Sequence, residues 1–181
     1  MSKLKYGLDV DNLLVDWNRG FFEYLDEPYR EITEWDDPFI RDNFHLIAND
    51  EKFWLTLPIL SHPNDIKFEV DCYITARTIP SEITAEWLYT KGFPIAPVIT
   101  VGAMKCGTHN SKIDAVMDMK LDVFVDDHVT HWQEINDNTN CLCLLFSQPH
   151  NQEVFTSTRI NSLKQVGRWK RNLELDTTKV N

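Results

Sequence analysis

The chain has 181 residues, with 28 acidic and 18 basic side chains, a formal charge of −10, 43% hydrophobic residues and 25% charged ones. That length buries a real core and that composition excludes widespread disorder. So negative a surface repels a phosphate backbone and disfavours general nucleic-acid binding, yet a small anionic substrate stays admissible where a metal ion reverses the sign of one cleft.

In chain order, the start Met1-Ser-Lys-Leu-Lys-Tyr6 is followed by Asp9 and Asp11, where a signal peptide would need its apolar stretch. No apolar run approaches the roughly 20 residues of a membrane span. A cytoplasmic protein with no membrane partner is expected. Five apolar runs then stand out: Leu4–Leu8, Val70–Ile74, Pro97–Val101, Val123–Val125 and Cys141–Phe146. They are continuous rather than alternating, which fits strands buried on both faces of a parallel sheet. Helices are expected over Pro80–Lys91, Ser111–Met119, Val129–Asn136 and Arg159–Arg171, with Gly92 capping the first. Strands alternating with helices predict an α/β fold with a doubly wound, mostly parallel, five-stranded sheet.

About sixty residues separate the first strand from the second, far more than one crossover helix needs. That stretch is rich in aromatics, among them Trp17, Phe21, Phe22, Trp35, Phe53 and Trp54. It reads as a small helical cap over residues 17–62, the α/β core comprising 1–16 and 63–175. Most of its aromatics read as the cap's own core. The cysteines Cys72, Cys106, Cys141 and Cys143 form no C-x-x-C pair and read as buried thiols in a reducing setting. Cys106-Gly-Thr-His109 imitates half a zinc site without a second half. The end, Asp176–Asn181, reads as frayed.

Four features fall where such a sheet presents its functional edge, at the carboxyl ends of strands. Asp9 and Asp11 follow the first strand, and residues two apart on an extended chain point the same way. Two such carboxylates repel unless a cation lies between them or one keeps its proton. Thr75 and Ala76 end the second strand, where a hydroxyl and backbone N–H groups suit a phosphate oxygen, although a capping threonine reads the same way. Lys112 opens a helix, facing the positive end of its dipole, which hints at a task elsewhere. Asp126 and Asp127 close the fourth strand as adjacent acids that are costly to bury without a cation.

The order strand–DxD, strand–Thr, helix-start Lys, strand–DD resembles the haloacid dehalogenase superfamily over about residues 4–146. Its four motifs look like Asp9–Asp16, Tyr73–Arg77, Lys112 and Val125–Asp127. Within it the chain is most similar to the 5′(3′)-deoxyribonucleotidases. Phe53–Pro58 resembles their cap's return segment, Leu144–Asn151 resembles a stretch with a His-Asn pair, and Trp17 falls where they carry a base-stacking aromatic. Asn12 stands where the family commonly has glycine, and Thr75-Ala-Arg77 also occurs in polynucleotide 3′-phosphatases.

The resemblance implies a magnesium-dependent phosphatase. Asp9 would attack phosphorus, Asp11 would act as acid and base, and Mg2+ would be held by Asp9, the Asp11 carbonyl and Asp127. Asp126 would support the metal or pair with Lys112. Thr75, Ala76 and Lys112 would hold the phosphoryl oxygens. Trp17, Phe21 and Arg77 would contact the rest of a small phosphate ester, a (deoxy)nucleoside monophosphate first among candidates, although an ion pair explains Arg77 equally well. His150 is weighed as a member of the site and reads first as a surface-loop residue. The alternatives are a 3′-phosphatase on nucleic-acid ends, with basic Arg159–Arg171 against the strand, and a non-catalytic binding protein on the same fold.

Overall fold

Each apolar run becomes a strand in the computed structural model, which describes residues 3–102, 111–167 and 169. They are β1 (Tyr6–Leu8), β2 (Cys72–Thr75), β3 (Val98–Thr100), β4 (Val123–Asp126) and β5 (Leu142–Phe146). A sixth, β6 (Arg159–Ile160), extends the sheet, whose order is β3-β2-β1-β4-β5-β6 with every pairing parallel. The strand count therefore corrects the expected five. The architecture is a Rossmann-like α/β fold with helices on both sides.

β6 also corrects the helix expected from Arg159. Leu145 N–H donates to Thr158 O at 3.1 Å and Ser147 N–H to Ile160 O at 2.8 Å, so the ladder takes up these residues. Ile160 is buried. The Arg159 guanidinium turns inward, onto the carbonyls of Asn151 (2.7 Å) and Val154 (2.6 Å) and onto Asn151 Oδ1 (2.7 Å). A two-residue strand is too short to impose a period on the sequence, and its charged member is explained by buried carbonyls rather than by solvent. Arg168, Lys170, Arg171 and Asp176–Asn181 lie outside the described residues, as do Cys106 and His109.

Strand residues divide by parity between two buried clusters. Tyr6, Leu8, Tyr73, Val123, Val125 and Leu144 pack into one, Cys72, Ile74, Phe124 and Cys143 into the other. Both faces are covered, which is why the runs are apolar throughout. Helices α5 (Lys112–Met119) and α6 (Val129–Asn138) cover the second cluster with Ala115, Val116 and Ile135. Helix α4 (Ser81–Thr90) lies on the first with Ile83, Trp87 and Leu88, and ends at Gly92, whose φ is +81°. Gly7 is needed for close approach, because a Cβ there would run into the Leu121 side chain. Cys72, Cys141 and Cys143 are free and buried, and burial pushes the Cys72 and Cys141 thiols up to about 12.

Between β1 and β2 lie three short helices, α1 (Trp17–Tyr24), α2 (Pro38–Asn43) and α3 (Glu51–Thr56). An aspartate starts each. Asp16 accepts from Arg19 N–H, Asp37 from Phe39 and Ile40 N–H, and Asp50 from Lys52 N–H. Such caps occupy orphan donors of the first turn and are worth about 1 kcal/mol each. The excursion is pinched where it leaves and returns. Val15 bridges Ile59 in antiparallel fashion, Asp16 N–H donates to Pro58 O at 3.0 Å, and Leu60 N–H to Leu14 O at 2.8 Å. Gly20 lets α1 rest on Leu57 and Pro58, where a Cβ would clash. No helix among the described residues is long and apolar enough to cross a membrane.

Candidate active site

The sheet order reverses at β1: the chain proceeds to β2 and β3 on one side, then to β4, β5 and β6 on the other. Loops leaving the carboxyl ends of strands diverge at such a point and leave a crevice. Asp9 follows β1, Thr75 ends β2 and Asp126 ends β4, so three neighbouring strands deliver their terminal side chains to it. Asp9 is fixed further by its N–H, which donates to Val125 O at 2.9 Å.

Lys112 Nζ lies 2.8 Å from Asp9 Oδ1 and 2.9 Å from Asp126 Oδ2, with all three side chains buried. The lysine placed against its own helix dipole thus finds two carboxylates. Burial disfavours charge on Asp126, but Lys112 overrides it and holds this carboxyl below the usual range, helped by His131 and by His128 N–H at 2.9 Å. Burial opposes the Lys112 charge too, and the two aspartates overcome it and raise the ammonium above its ordinary value.

Asp127 has no such cation. His150 Nε2 lies 3.1 Å from its Oδ2, yet neither carboxylate oxygen receives a well-aligned hydrogen bond among the described residues, and the side chain is 1% exposed. Burial raises the Asp127 carboxyl, and burial likewise raises Asp9 well above its ordinary value against the pull of Lys112. Oxygens of Asp9, Asp126 and Asp127 all lie within 4.8 Å of one another. Three buried carboxylates, two pushed toward protonation and one of those two with unused oxygens, suit a hard divalent cation. The Asp11 side chain stands apart from that cluster. It accepts from Arg77 Nε at 2.9 Å and Nη2 at 2.6 Å, with Thr75 Oγ1 at 3.4 Å. Arg77 is itself buried, donates to Thr84 Oγ1 at 3.2 Å and lies 5.0 Å from the Trp54 ring centre.

A cavity of about 260 Å³ opens onto the Asp9 and Lys112 side of this cluster. Asp9, Asp11, Thr75, Ala76, Arg77, Lys112 and Trp17 line it, whereas Asp126 and Asp127 are not on its lining. Phe21 does not. It is fully buried and stacks behind Trp17 at 5.1 Å, so the expectation of a substrate contact there is replaced by a supporting role. Thr75 is the last residue of β2 and Ala76 begins the connection to α4, which starts only at Ser81.

Sequence reasoning missed much of the wall. Trp35, Phe44 and Trp54 face the cavity, although most aromatics of this stretch read as packing alone. Trp35 reaches across to His128 (ring centres 4.0 Å apart) and His150 (5.2 Å). Burial lowers His128 to about 4. His150, read as a surface residue, has a side chain only 3% exposed. Its neighbour Asn151 donates to the carbonyls of Asp127 and Phe146, both at 2.8 Å, tying the loop after β5 to the acidic floor. Asn12 has φ +52°, the left-handed region that glycine or asparagine tolerates best, which explains the departure from glycine there.

No family model matches the chain. A stretch of 112 residues is 30% identical to the protein described as "Putative nucleotidase YqfW" of Bacillus subtilis (strain 168), covering 60% of this chain and 55% of that one. The chain therefore spans about half the length of the curated relative it matches.

Proposed function

We propose that this chain is a magnesium-dependent phosphomonoesterase of the haloacid dehalogenase type, acting on small phosphate esters of the (deoxy)nucleoside monophosphate class. One observation carries the reading: in the buried Asp9–Lys112–Asp126–Asp127 cluster at the switch point of the sheet, Asp9 and Lys112 line an aromatic-walled cavity. The nucleotidase named among its relatives supports the substrate class. Residues 17–62 act as the cap that carries the apolar wall.

In this mechanism a carboxylate oxygen of Asp9 forms a bond to phosphorus as the bond to the ester oxygen breaks, leaving an aspartyl phosphate. Asp11, entering protonated, gives its proton to the departing oxygen, then takes one from the water that cleaves the intermediate, which regenerates the Asp9 carboxylate and the Asp11 acid. The Arg77 contact holds Asp11 at the cavity edge and must loosen as the leaving oxygen arrives. Lys112, with the hydroxyl and backbone N–H groups at Thr75 and Ala76, binds the phosphoryl oxygens where negative charge accumulates. Asp9, Asp127 and Asp126 would hold Mg2+, whose charge would offset that of the carboxylates and phosphate. The aromatic wall excludes bulk water.

Asp9→Asn keeps shape and removes the nucleophile. Phosphate release from deoxynucleoside monophosphates and from phenyl phosphate, assayed with Mg2+, is expected to fall by about 10⁴-fold or more with the thermal transition retained. Wild-type turnover in that variant overturns the nucleophile, and release that survives chelation of divalent metal overturns the metal requirement.

A further inference from the structure

Asn18 is the second residue of α1, nine-tenths buried, and lines the cavity. Its backbone N–H donates to Asn12 Oδ1 at 3.4 Å, but its carboxamide makes no hydrogen bond among the described residues. The charged side chains nearby and the Asn12 carboxamide oxygen are engaged. Lys112 is held by Asp9 and Asp126, Arg77 by Asp11 and Thr84, and the Asn12 side-chain oxygen is taken by Asn18 itself. Asn18 is thus the carboxamide of the described lining that keeps both a donor and an acceptor open.

A buried amide left unpaired is costly, so a cavity-facing one is completed by water or by a ligand. Its setting selects the ligand. Trp17 precedes it in the helix, and Trp54 and Phe44 line the same cavity, offering flat apolar surfaces. Phosphate itself has only acceptors to offer and belongs at the Lys112 end. A flat heterocycle gains from the aromatic wall and presents a donor next to an acceptor along its edge, the complement of a carboxamide. We infer that Asn18 is a specificity-determining residue, hydrogen-bonding the polar edge of a nucleobase seated against the aromatic wall. The inference rests on the phosphomonoesterase reading and adds to it the group that reads the leaving portion.

The test compares kcat/KM on the deoxynucleoside monophosphates with kcat/KM on phenyl phosphate, a flat ester with no polar edge. In Asn18→Leu the ratio of the two is expected to fall about tenfold, because a site that hydrogen-bonds a substrate group discriminates against its loss. Asn18→Asp keeps the size and replaces the donor by an acceptor, so the rank order among the four bases is expected to shift toward those with an exocyclic amino group. A circular-dichroism melt of each variant separates misfolding from altered recognition. An unchanged ratio together with an unchanged rank order overturns the proposal and leaves the amide to a cavity water. A wild-type protein that hydrolyses phenyl phosphate but no nucleotide overturns the nucleobase while the phosphatase stands. Inactivity on every ester removes the phosphatase reading itself, and this proposal with it.

Discussion

The acidic end of the cavity is built on strand ends and a helix start, whereas its apolar wall is built on short helices and the connections of residues 17–62. At the acidic end, register does the positioning. Leu8 pairs with Tyr73 on one side and Val125 on the other, so the residues that follow must emerge together. On the wall no ladder plays that part. Helices α1, α2 and α3 have 8, 6 and 6 residues and depend on aspartate caps and aromatic contacts to stay in place. On the proposed reading, chemistry sits where the backbone is most strongly determined and recognition where it is least so.

The largest expected effect comes from breaking the acidic end at its cation. Lys112→Met leaves Asp126 ionised and buried with its main counter-charge gone. Removing one partner of a buried ion pair costs about 3–5 kcal/mol, and urea unfolding is expected to read that loss. Phosphate release should vanish with it. A variant that unfolds at the wild-type midpoint would mean that the Lys112–Asp126 contact contributes nothing to stability.

Next in size is the coupling of metal to pH. Without metal, the Asp9 and Asp127 carboxyls are raised by burial. A carboxyl raised on folding contributes stability that is whole below its unfolded value of about 4 and is lost as pH rises through the folded one. Asp126, depressed by Lys112, works in the opposite sense, and its contribution is lost only as pH falls below about 4. On the proposed reading millimolar Mg2+ would bind the ionised carboxylates and displace their protons, so it should raise the melting temperature more at pH 7.5 than at pH 5. His150→Ala, by freeing Asp127, should weaken the Mg2+ midpoint about tenfold. Equal Mg2+ shifts at the two pH values would detach the metal from these carboxylates.

The same contrast governs how much of the molecule can be read from its sequence. Five strands were legible because burial on both faces leaves unbroken apolar runs, and Asp9, Thr75, Lys112 and Asp126 could be placed because each sits at the end of a legible element. Gly92 marked a helix end through capping chemistry that is local in the chain. β6 was not legible, since Arg159 earns its place from carbonyls of Asn151 and Val154 that only the fold brings near. Trp35 carried no signal beyond its type, because its partners His128 and His150 are about a hundred residues away. Phe21 shows the reverse failure: a helical cap was inferred, but which of its side chains met the cavity was not.

The wall can be tested by comparing two of its tryptophans. Trp54 is 2% exposed and lies under Arg77, so Trp54→Ala should cost about 3–5 kcal/mol of stability and disturb Asp11 through Arg77. Trp35 is 54% exposed and belongs to no helix, so its removal should move stability by less than about 1 kcal/mol. Its contacts are with the cavity and with two histidines of the opposite wall, which confines its effect to holding substrate and excluding water. Trp35→Ala is expected to raise KM for deoxynucleoside monophosphates about threefold to tenfold with kcat little changed, the signature of lost uniform binding. If kcat falls instead, the Trp35–His150 contact reaches Asp127, and the wall and the acidic floor act as one unit rather than two.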